Sequence, residues 1–254
     1  MPKRLITSAA LFALLAVLSL ATATDAIACK KCAKHNTAAE AKEAPKHNVA
    51  PEGFTALFNG KDIDGWVKKS GFCEYTVKDG IITGHTAKGS GNTFLTTAKE
   101  YGDFELKFDV LLHDNGLNSG VQIRSKVVKD ADNEWGGRLG GPQCEIEAGP
   151  GQSGYIYGEA TGKGWLSPEP KSKDKKVNSH EHFMNGEWNS YHIIAKGNNI
   201  KTFINGHPVA DLTVTDDIQE KFAKGVIGLQ VHSVKGDPKW SVSWRNIYIK
   251  ELSE

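Results

Sequence analysis

Three short runs carry the residue types used in acid–base chemistry and sugar recognition. In Gln143-Cys144-Glu145-Ile146-Glu147 the polar side chains fall at every second position. The same alternation sets Gln122 and Arg124 against Val121 and Ile123, and Gln230 and His232 against Leu229 and Val231. Strand side chains point to opposite faces in turn, so as strands these runs send their apolar members to a core and their polar members to the other side. If the strands neighbour one another, Glu145, Glu147, His232, Arg124, Gln122, Gln143 and Gln230 form one patch holding acids, a base, a cation and amides that hydrogen-bond hydroxyls. The plainer alternative is a solvated face on which Arg124 forms a surface ion pair worth about 0–1 kcal/mol. A face serving solubility alone would carry mainly Lys, Thr, Ser and Glu, whereas this one gathers amides, Arg, His and paired Glu. Trp135 and Trp165 stand in Gly-rich loops, where an indole can stack on a sugar ring. Trp66, Trp188, Trp240 and Trp244 lie in strand-like runs and read as core.

The elements that must position these groups are strands. Glycine supplies 27 of 254 residues, above the usual ~7%, which favours many turns between short elements. No window after Phe54 holds a 3.6-residue apolar period. Tyr75 to Val77 and Ile81 to Thr83 flank Asp79-Gly80, and Ile200 to Ile204 and His207 to Leu212 flank Asn205-Gly206, both signals of tight hairpins. Further strands are expected over 104–112, 120–124, 143–147, 188–196, 225–232 and 240–249, with one helical turn at Ile218 to Phe222. This pattern predicts an all-β, two-sheet sandwich. The polar stretch Ser167 to Glu187, with its Lys cluster, reads as a solvated insertion, the alternative being a rim or lid over a binding site.

The chain opens with Lys3-Arg4, an apolar run from Leu5 to Leu20, and Ala26-Ile27-Ala28, the pattern of a secretory leader over residues 1–28. The run is too short and too interrupted for a membrane span, so a secreted or periplasmic location is expected. Cys29 directly follows, where a lipid anchor would attach, although Ala26 stands where such leaders usually carry Leu. Residues 29–50 read as a polar linker and 51–254 as the domain. Removing the leader leaves 29 basic and 29 acidic side chains, so no broad positive field argues for nucleic acid. Cys29 and Cys32 have C-x-x-C spacing with His35 and His47 nearby, yet no folded segment supplies the further ligands of a structural zinc site. Cys73 and Cys144 are candidates for pairing in an oxidising compartment.

Several ordered motifs carry a resemblance over about residues 52–252. Gly53-Phe54-x-x-Leu57-Phe58-Asn59-Gly60-Lys61 leads to Gly65-Trp66; Asn118-Ser119-Gly120-Val121-x-x-Arg124 and Gly141-Pro142-Gln143-Cys144-Glu145-Ile146 follow. Gly186-x-Trp188-Asn189, Gly228-Leu229-Gln230-x-His232 and Trp244-Arg245-Asn246-Ile247-x-Ile249 complete the series. Together they resemble the bacterial 3-keto-disaccharide hydrolase domain family. Many members look like E-x-Q-I-x-D where this chain has Gln143-x-Glu145-Ile146-Glu147-Ala148, and others look like Q-x-D-I, closer to it. The resemblance implies a concanavalin-like jelly roll acting on sugars oxidised at C3, whose ketone acidifies the C2 proton and permits elimination of the glycosidic substituent followed by water addition. Such chemistry calls for a base, from His232 or Glu145; an enolate stabiliser, from Arg124; and an acid, from Glu147. Gln122, Gln143, Gln230 and Asn118 would hold hydroxyls, with Trp135 and Trp165 as platforms. No cofactor is required, and nothing requires a divalent cation at Glu145, Glu147 and His232. Two alternatives share the fold: a non-catalytic carbohydrate-binding module, and a glucanase-like hydrolase whose E-x-D-x-E strand resembles Gln143-x-Glu145-x-Glu147 without its first acid.

Overall fold

The computed structural model of the protein describes residues 47–130, 135–167 and 180–253. The expected leader, the C-x-x-C pair with its anchor position Cys29, and residues 168–179 of the polar insertion lie outside the described residues. One sheet contains β1 (Thr55–Ala56), β3 (Glu74–Lys78), β4 (Ile81–His85), β6 (Phe104–Leu112), β11 (Asn189–Lys196), β12 (Asn199–Ile204), β13 (His207–Thr213) and β15 (Ser241–Glu251). Its order is β13-β12-β11-β6-β15-β4-β3, with β1 added beside β15. The other sheet contains β2 (Trp66–Lys69), β5 (Thr93–Thr97), β7 (Ser119–Lys129), β8 (Arg138–Ile146), β9 (Ile156–Glu159), β10 (Gly164–Trp165) and β14 (Val226–Val231), in the order β10-β9-β8-β7-β14-β5-β2. Every one of these pairings is antiparallel, and the chain crosses repeatedly between the sheets, as the jelly-roll expectation requires. The helical turn is α1 (Asp216–Lys221). Among the described residues no helix is long and apolar enough to cross a membrane.

Both hairpins form where Asp79-Gly80 and Asn205-Gly206 predict them. All four residues have positive φ, at 51°, 75°, 51° and 82°, the backbone that a two-residue type I′ turn demands. The two sheets bury one apolar core. In β6 the alternation is complete: Phe104, Leu106, Phe108, Val110 and Leu112 face inward, and the residues between them are half-exposed. The inner strands of the second sheet behave differently. β5 is buried throughout, β7 is buried from Ser119 to Ser125, and β8 is buried from Leu139 onward, so this sheet is covered on both faces although only one meets the apolar core. The covered outer face carries the polar residues.

Three expectations change. The linker does not run free to residue 50, because the Asn48 backbone N–H donates to Asn246 Oδ1, the Asn246 N–H donates to Asn48 Oδ1, and Asn48 Nδ2 donates to Gly80 O. Cys73 and Cys144 are buried free thiols and do not pair. Trp188 is only half-buried, with the Arg245 guanidinium 4.0 Å above its ring.

The sheets meet tightly at Gly84 of β4. A methyl group there would come within 2.4 Å of Val231 Cγ2, 3.1 Å of Tyr75 and 3.3 Å of Trp244. Tyr75 also crosses the gap, its hydroxyl lying 3.0 Å from Thr93 O and 2.8 Å from Leu229 O on the second sheet. Gly84→Ala should therefore overpack the core and cost about 1–3 kcal/mol. In urea unfolding the midpoint should fall with the slope unchanged; an unaltered midpoint would show that the sheets can part at no cost.

Candidate functional site

Register carries one row of side chains across the second sheet. Trp165 on β10 faces Tyr157 on β9, Tyr157 faces Gln143 on β8, and Gln143 faces Gln122 on β7. Paired residues in antiparallel strands share a face, so an aromatic pair stands at the sheet's edge and amides at its centre. Glu145 lies two residues along β8 on the same face. Asn118 precedes β7, Glu147 and Gln152 follow β8, and His232 follows β14. With Arg138, Tyr157, Glu159, Ala160 and Trp165 they line an open cavity of ≈ 490 Å³.

The Glu145 carboxyl is 6% exposed and is held from both sides. Gln143 Nε2 donates to Oε1 at 2.7 Å and Asn118 Nδ2 to Oε2 at 3.2 Å. Gln143 is oriented in turn, because its Oε1 accepts from Gln122 Nε2 at 2.7 Å and Gln230 Nε2 at 3.0 Å, leaving its amide nitrogen toward the acid. Ser125 Oγ donates to Gln122 Oε1 and so fixes that amide as well. Opposite Glu145 in the ladder is Gly120. A Cβ there would lie 2.7 Å from Gln143 Cγ and Cδ, so only glycine lets the Gln143 side chain lie across β7. Burial is the largest influence on Glu145 and pushes its pKa to about 8; the two amide donors oppose this, and the charges of Glu147 and Glu159 add to it.

The remaining charges are arranged around it. The Arg138 guanidinium pairs with buried Glu159 and lies over the Phe94 ring, while Asn92 Nδ2 also donates to Glu159. Glu147 Oε1 accepts the Gln152 N–H at 2.5 Å. His232 Nδ1 lies 2.7 Å from Ser233 O; a carbonyl only accepts, so this nitrogen carries the hydrogen and the neutral ring keeps its lone pair on Nε2.

Of the residues expected from sequence, Glu145, Glu147, Gln143, His232, Asn118 and Trp165 line the cavity. Gln122 and Gln230 are fully buried beneath it and bond to Gln143, so they position that amide rather than a hydroxyl of a bound sugar. Arg124 is elsewhere. At φ 49° it sits where β7 slips register against β8 between Gln122 and Lys126, which ends the simple alternation. Its Nε and Nη1 donate to Gly102 O and Gly197 O at 2.7 and 2.6 Å, and Nη2 pairs with Asp103 at 2.8 Å. Trp135 packs against Phe72 with centroids 5.6 Å apart and takes the Lys68 ammonium 5.0 Å from its ring, outside the cavity lining. The sequence reading missed Arg138, Glu159, Tyr157 and Gln152. Only Tyr157 and Glu159 left a signal, as alternate residues of a short run ending at Gly-rich turns.

Among the described residues no group of three His, Cys, Asp or Glu side chains is placed to hold a metal ion. A second cavity of ≈ 440 Å³ lies on the first sheet, beside Lys107, Asp109, His192, Phe203, Asn246 and Tyr248. Its polar groups satisfy one another: Asn246 Nδ2 donates to Asp109 Oδ2, Tyr248 OH to Asn246 Oδ1, and His192 faces Glu105. The first cavity is the better site because a buried, perturbed acid, an imidazole and an aromatic edge converge there.

A family model described as a 3-keto-alpha-glucoside-1,2-lyase-like domain matches residues 53–250. A solved structure from Parabacteroides distasonis, provisionally described as a glycosyl hydrolase, is 23% identical and covers 82% of this chain and 100% of its own, at TM-score 0.54. A carbohydrate binding module from Bacillus subtilis is 16% identical, covering 74% of this chain and 96% of its own at TM-score 0.50. A Bacillus subtilis protein with a galectin-like fold is 11% identical, with coverages of 81% and 97% and TM-score 0.54. At these identities the likenesses establish the shared fold. No curated protein sequence matches the chain.

The Glu145 carboxyl ties stability to pH. Its folded pKa of about 8 lies above the ordinary 4.5, so between these values the folded protein holds a proton that the unfolded chain has released. Its contribution is full below the lower value and is lost as pH rises through the upper one. Glu145→Gln removes the titration, and its stability relative to wild type should rise by a few kcal/mol, in order of magnitude, between about pH 5 and pH 9. Denaturant melts across that range check this; a difference independent of pH would mean the carboxyl is solvated.

Proposed function

The chain belongs to the 3-keto-alpha-glucoside-1,2-lyase-like domain family, and from that premise we propose that the cavity on its second sheet cleaves glycosides already oxidised at C3. The observation that carries this reading is the pairing of a buried acid that stays protonated at neutral pH, Glu145, with an imidazole lining the same cavity, His232. The C3 ketone makes the C2 proton acidic. His232 Nε2 takes that proton, the electrons pass into an enolate, and the enolate expels the C1 substituent to form the C1–C2 double bond. Glu145 delivers its proton to the departing oxygen; water then adds its hydroxyl to C1 and gives its proton back to Glu145, while His232 returns the proton it took to C2. Arg138, which lines the cavity beside its partner Glu159, supplies the donor for the developing enolate oxygen in place of Arg124, which lies outside the cavity. Asn118 and Glu147 bind hydroxyls, and Trp165 with Tyr157, centroids 5.3 Å apart and nearly perpendicular, gives the sugar's apolar face a surface. The leader-like start of the chain agrees with action outside the cytoplasm.

A second reading is a carbohydrate-binding module. The aromatic pair at the cavity's edge and the likeness to the Bacillus subtilis module favour it.

The test is release of product from a 3-keto-disaccharide, with the unoxidised sugar beside it. The keto sugar alone should be cleaved, and Glu145→Gln and His232→Ala should each lower kcat about 10²–10⁴-fold without unfolding the protein. In wild type the rate should fall as pH rises through the Glu145 pKa of about 8, where the acid loses its proton. Binding without cleavage would establish the module reading, and cleavage of both sugars would point to glucanase-like hydrolysis.

A further inference from the structure

The loop after β8 is held by a segment far from it in sequence. Glu147 enters the cavity from this loop, and its position depends on two neighbours: the Gln152 N–H on its Oε1, and Ser153, whose Oγ accepts the Glu147 N–H and donates to the Glu147 carbonyl, both at 2.8 Å. Gly151 lies between, so close that a Cβ would meet Glu147 Oε1 at 2.6 Å. The strap from His180 to Glu187 clamps the loop twice. Asn185 and Gly149 exchange two hydrogen bonds of 2.8 Å, and His180 exchanges backbone bonds of 3.1 Å with Gly151.

The His180 ring adds a third hold. Its Nε2 lies 2.7 Å from Ser153 O, which only accepts, so Nε2 carries the hydrogen. The His182 backbone N–H donates to Nδ1 at 3.2 Å, so Nδ1 must keep its lone pair. Both nitrogens are assigned: the Ser153 bond suits the neutral ring and the imidazolium alike, whereas the His182 bond requires the neutral ring. A proton on Nδ1 would face the His182 N–H. It would also place a cation in a stack of imidazoles, since His180 lies on His182 with centroids 4.7 Å apart and His182 on His207 with centroids 4.5 Å apart.

We propose that His180 is a positioning residue for Glu147: seated by the His182 N–H while neutral, its ring holds the Gly151–Ser153 turn through Ser153 O, and protonation at Nδ1 costs the ring that seat and so loosens the turn. The groups around it are His182 on the strap, with His207 on β13 behind His182, Tyr155 with its ring centroid 5.9 Å away, Glu147 through the turn, and Glu181 beside it in the chain. Burial first, and then the charge of His182, hold His180 below the ordinary histidine range, while the bond to Ser153 opposes them. The fold therefore gains from the neutral ring above the ordinary value and loses that gain as pH falls through the depressed one. Glu147's part in catalysis rests on the proposed keto-glycoside cleavage; the clamp itself does not.

Amide hydrogen exchange of the full chain at about pH 7.5 and pH 5 tests the clamp, with exchange rates corrected for their intrinsic pH dependence. In wild type the protection of Gly151 and Gln152 should fall about 10-fold or more at the lower pH. His180→Gln offers an amide N–H to Ser153 and an oxygen to His182 without titrating, so it should keep the protection at both pH values. His180→Ala should lose it at both. With the 3-keto-disaccharide at pH 7.5, His180→Ala should lower kcat/KM about 10-fold and His180→Gln should stay within about 2-fold of wild type. Equal protection in all three proteins, or the same pH dependence in His180→Gln as in wild type, would overturn the proposal. Absence of any cleavage would instead overturn the keto-glycoside reading and leave the exchange result to decide the clamp.

Discussion

The second sheet is organised around a buried carboxyl group. An ionised carboxylate removed from water costs several kcal/mol unless it is paired or hydrogen-bonded, and the charges nearest Glu145 are acids of the same sign. The fold meets this cost with two amide donors and a proton. Each donor then needs its own orientation: Gln143 is fixed by Gln122 and Gln230, Gln122 by Ser125, and the whole arrangement by Gly120, which clears the space Gln143 occupies. These residues come from β8, β7 and β14, so the hydrogen-bonded amides require those strands to be neighbours in the observed register. Buried polar networks of this kind are costly when one member is missing.

The two sheets divide the work. On the outer face of the first sheet, charged side chains pair at half-exposed positions, as Lys250 does with Glu105 and Arg245 does with Asp109. Such pairs stabilise weakly and leave water access intact. On the second sheet the polar side chains are covered, and low local dielectric lets neighbouring groups shift one another's titration. Arg124 belongs to neither face. It sits 1% exposed where β7 bulges, and its guanidinium joins the second sheet to the backbone at Gly102 and Gly197 and to Asp103 at the ends of first-sheet strands. A lysine there could not reach three acceptors with a planar fork.

How much of this the sequence discloses depends on how local each feature is. Alternation is a property of the strand itself, so it puts Gln143 with Glu145, Gln122, and Gln230 with His232 on one face, where the structure has them. The I′ hairpins follow from Asp79-Gly80 and Asn205-Gly206 for the same reason. Arg124 has the same spacing and fails, because its left-handed backbone belongs to a bulge that pairing between strands creates. Arg138 is out of reach for a different cause, and the alternation that marks Glu159 does not tie it to the site. Arg138 lies five residues from Gln143, which strict alternation would assign to the opposite face, and β8 passes between them through Gly140 and Gly141, the latter at φ 142°. Glu159 enters only because β9 pairs with β8, a neighbour relation that no motif encodes. Trp135 and Trp165 look alike in sequence, and only Trp165 belongs to a strand that pairs into the site's row.

The arrangement also explains how one cavity can hold three carboxyl groups without losing its shape. Like charges close together cannot all remain ionised, and the usual resolution is to give each a different environment. Glu159 has the Arg138 guanidinium, and so its charge is matched at that end of the cavity. Glu147 has the Gln152 N–H and a turn held from outside by the strap. Glu145 has no cation paired with it among the described residues, is held by two amides, and takes up a proton instead. The order follows from position: the acid at the centre of the sheet is held by amide donors, whereas those at the end of a strand or on a loop are met by a guanidinium or a backbone donor. Below its pKa of about 8 Glu145 thus stands protonated in the middle of the cavity, with the His232 ring in the same lining. Both placements are set by burial and strand order before any ligand arrives.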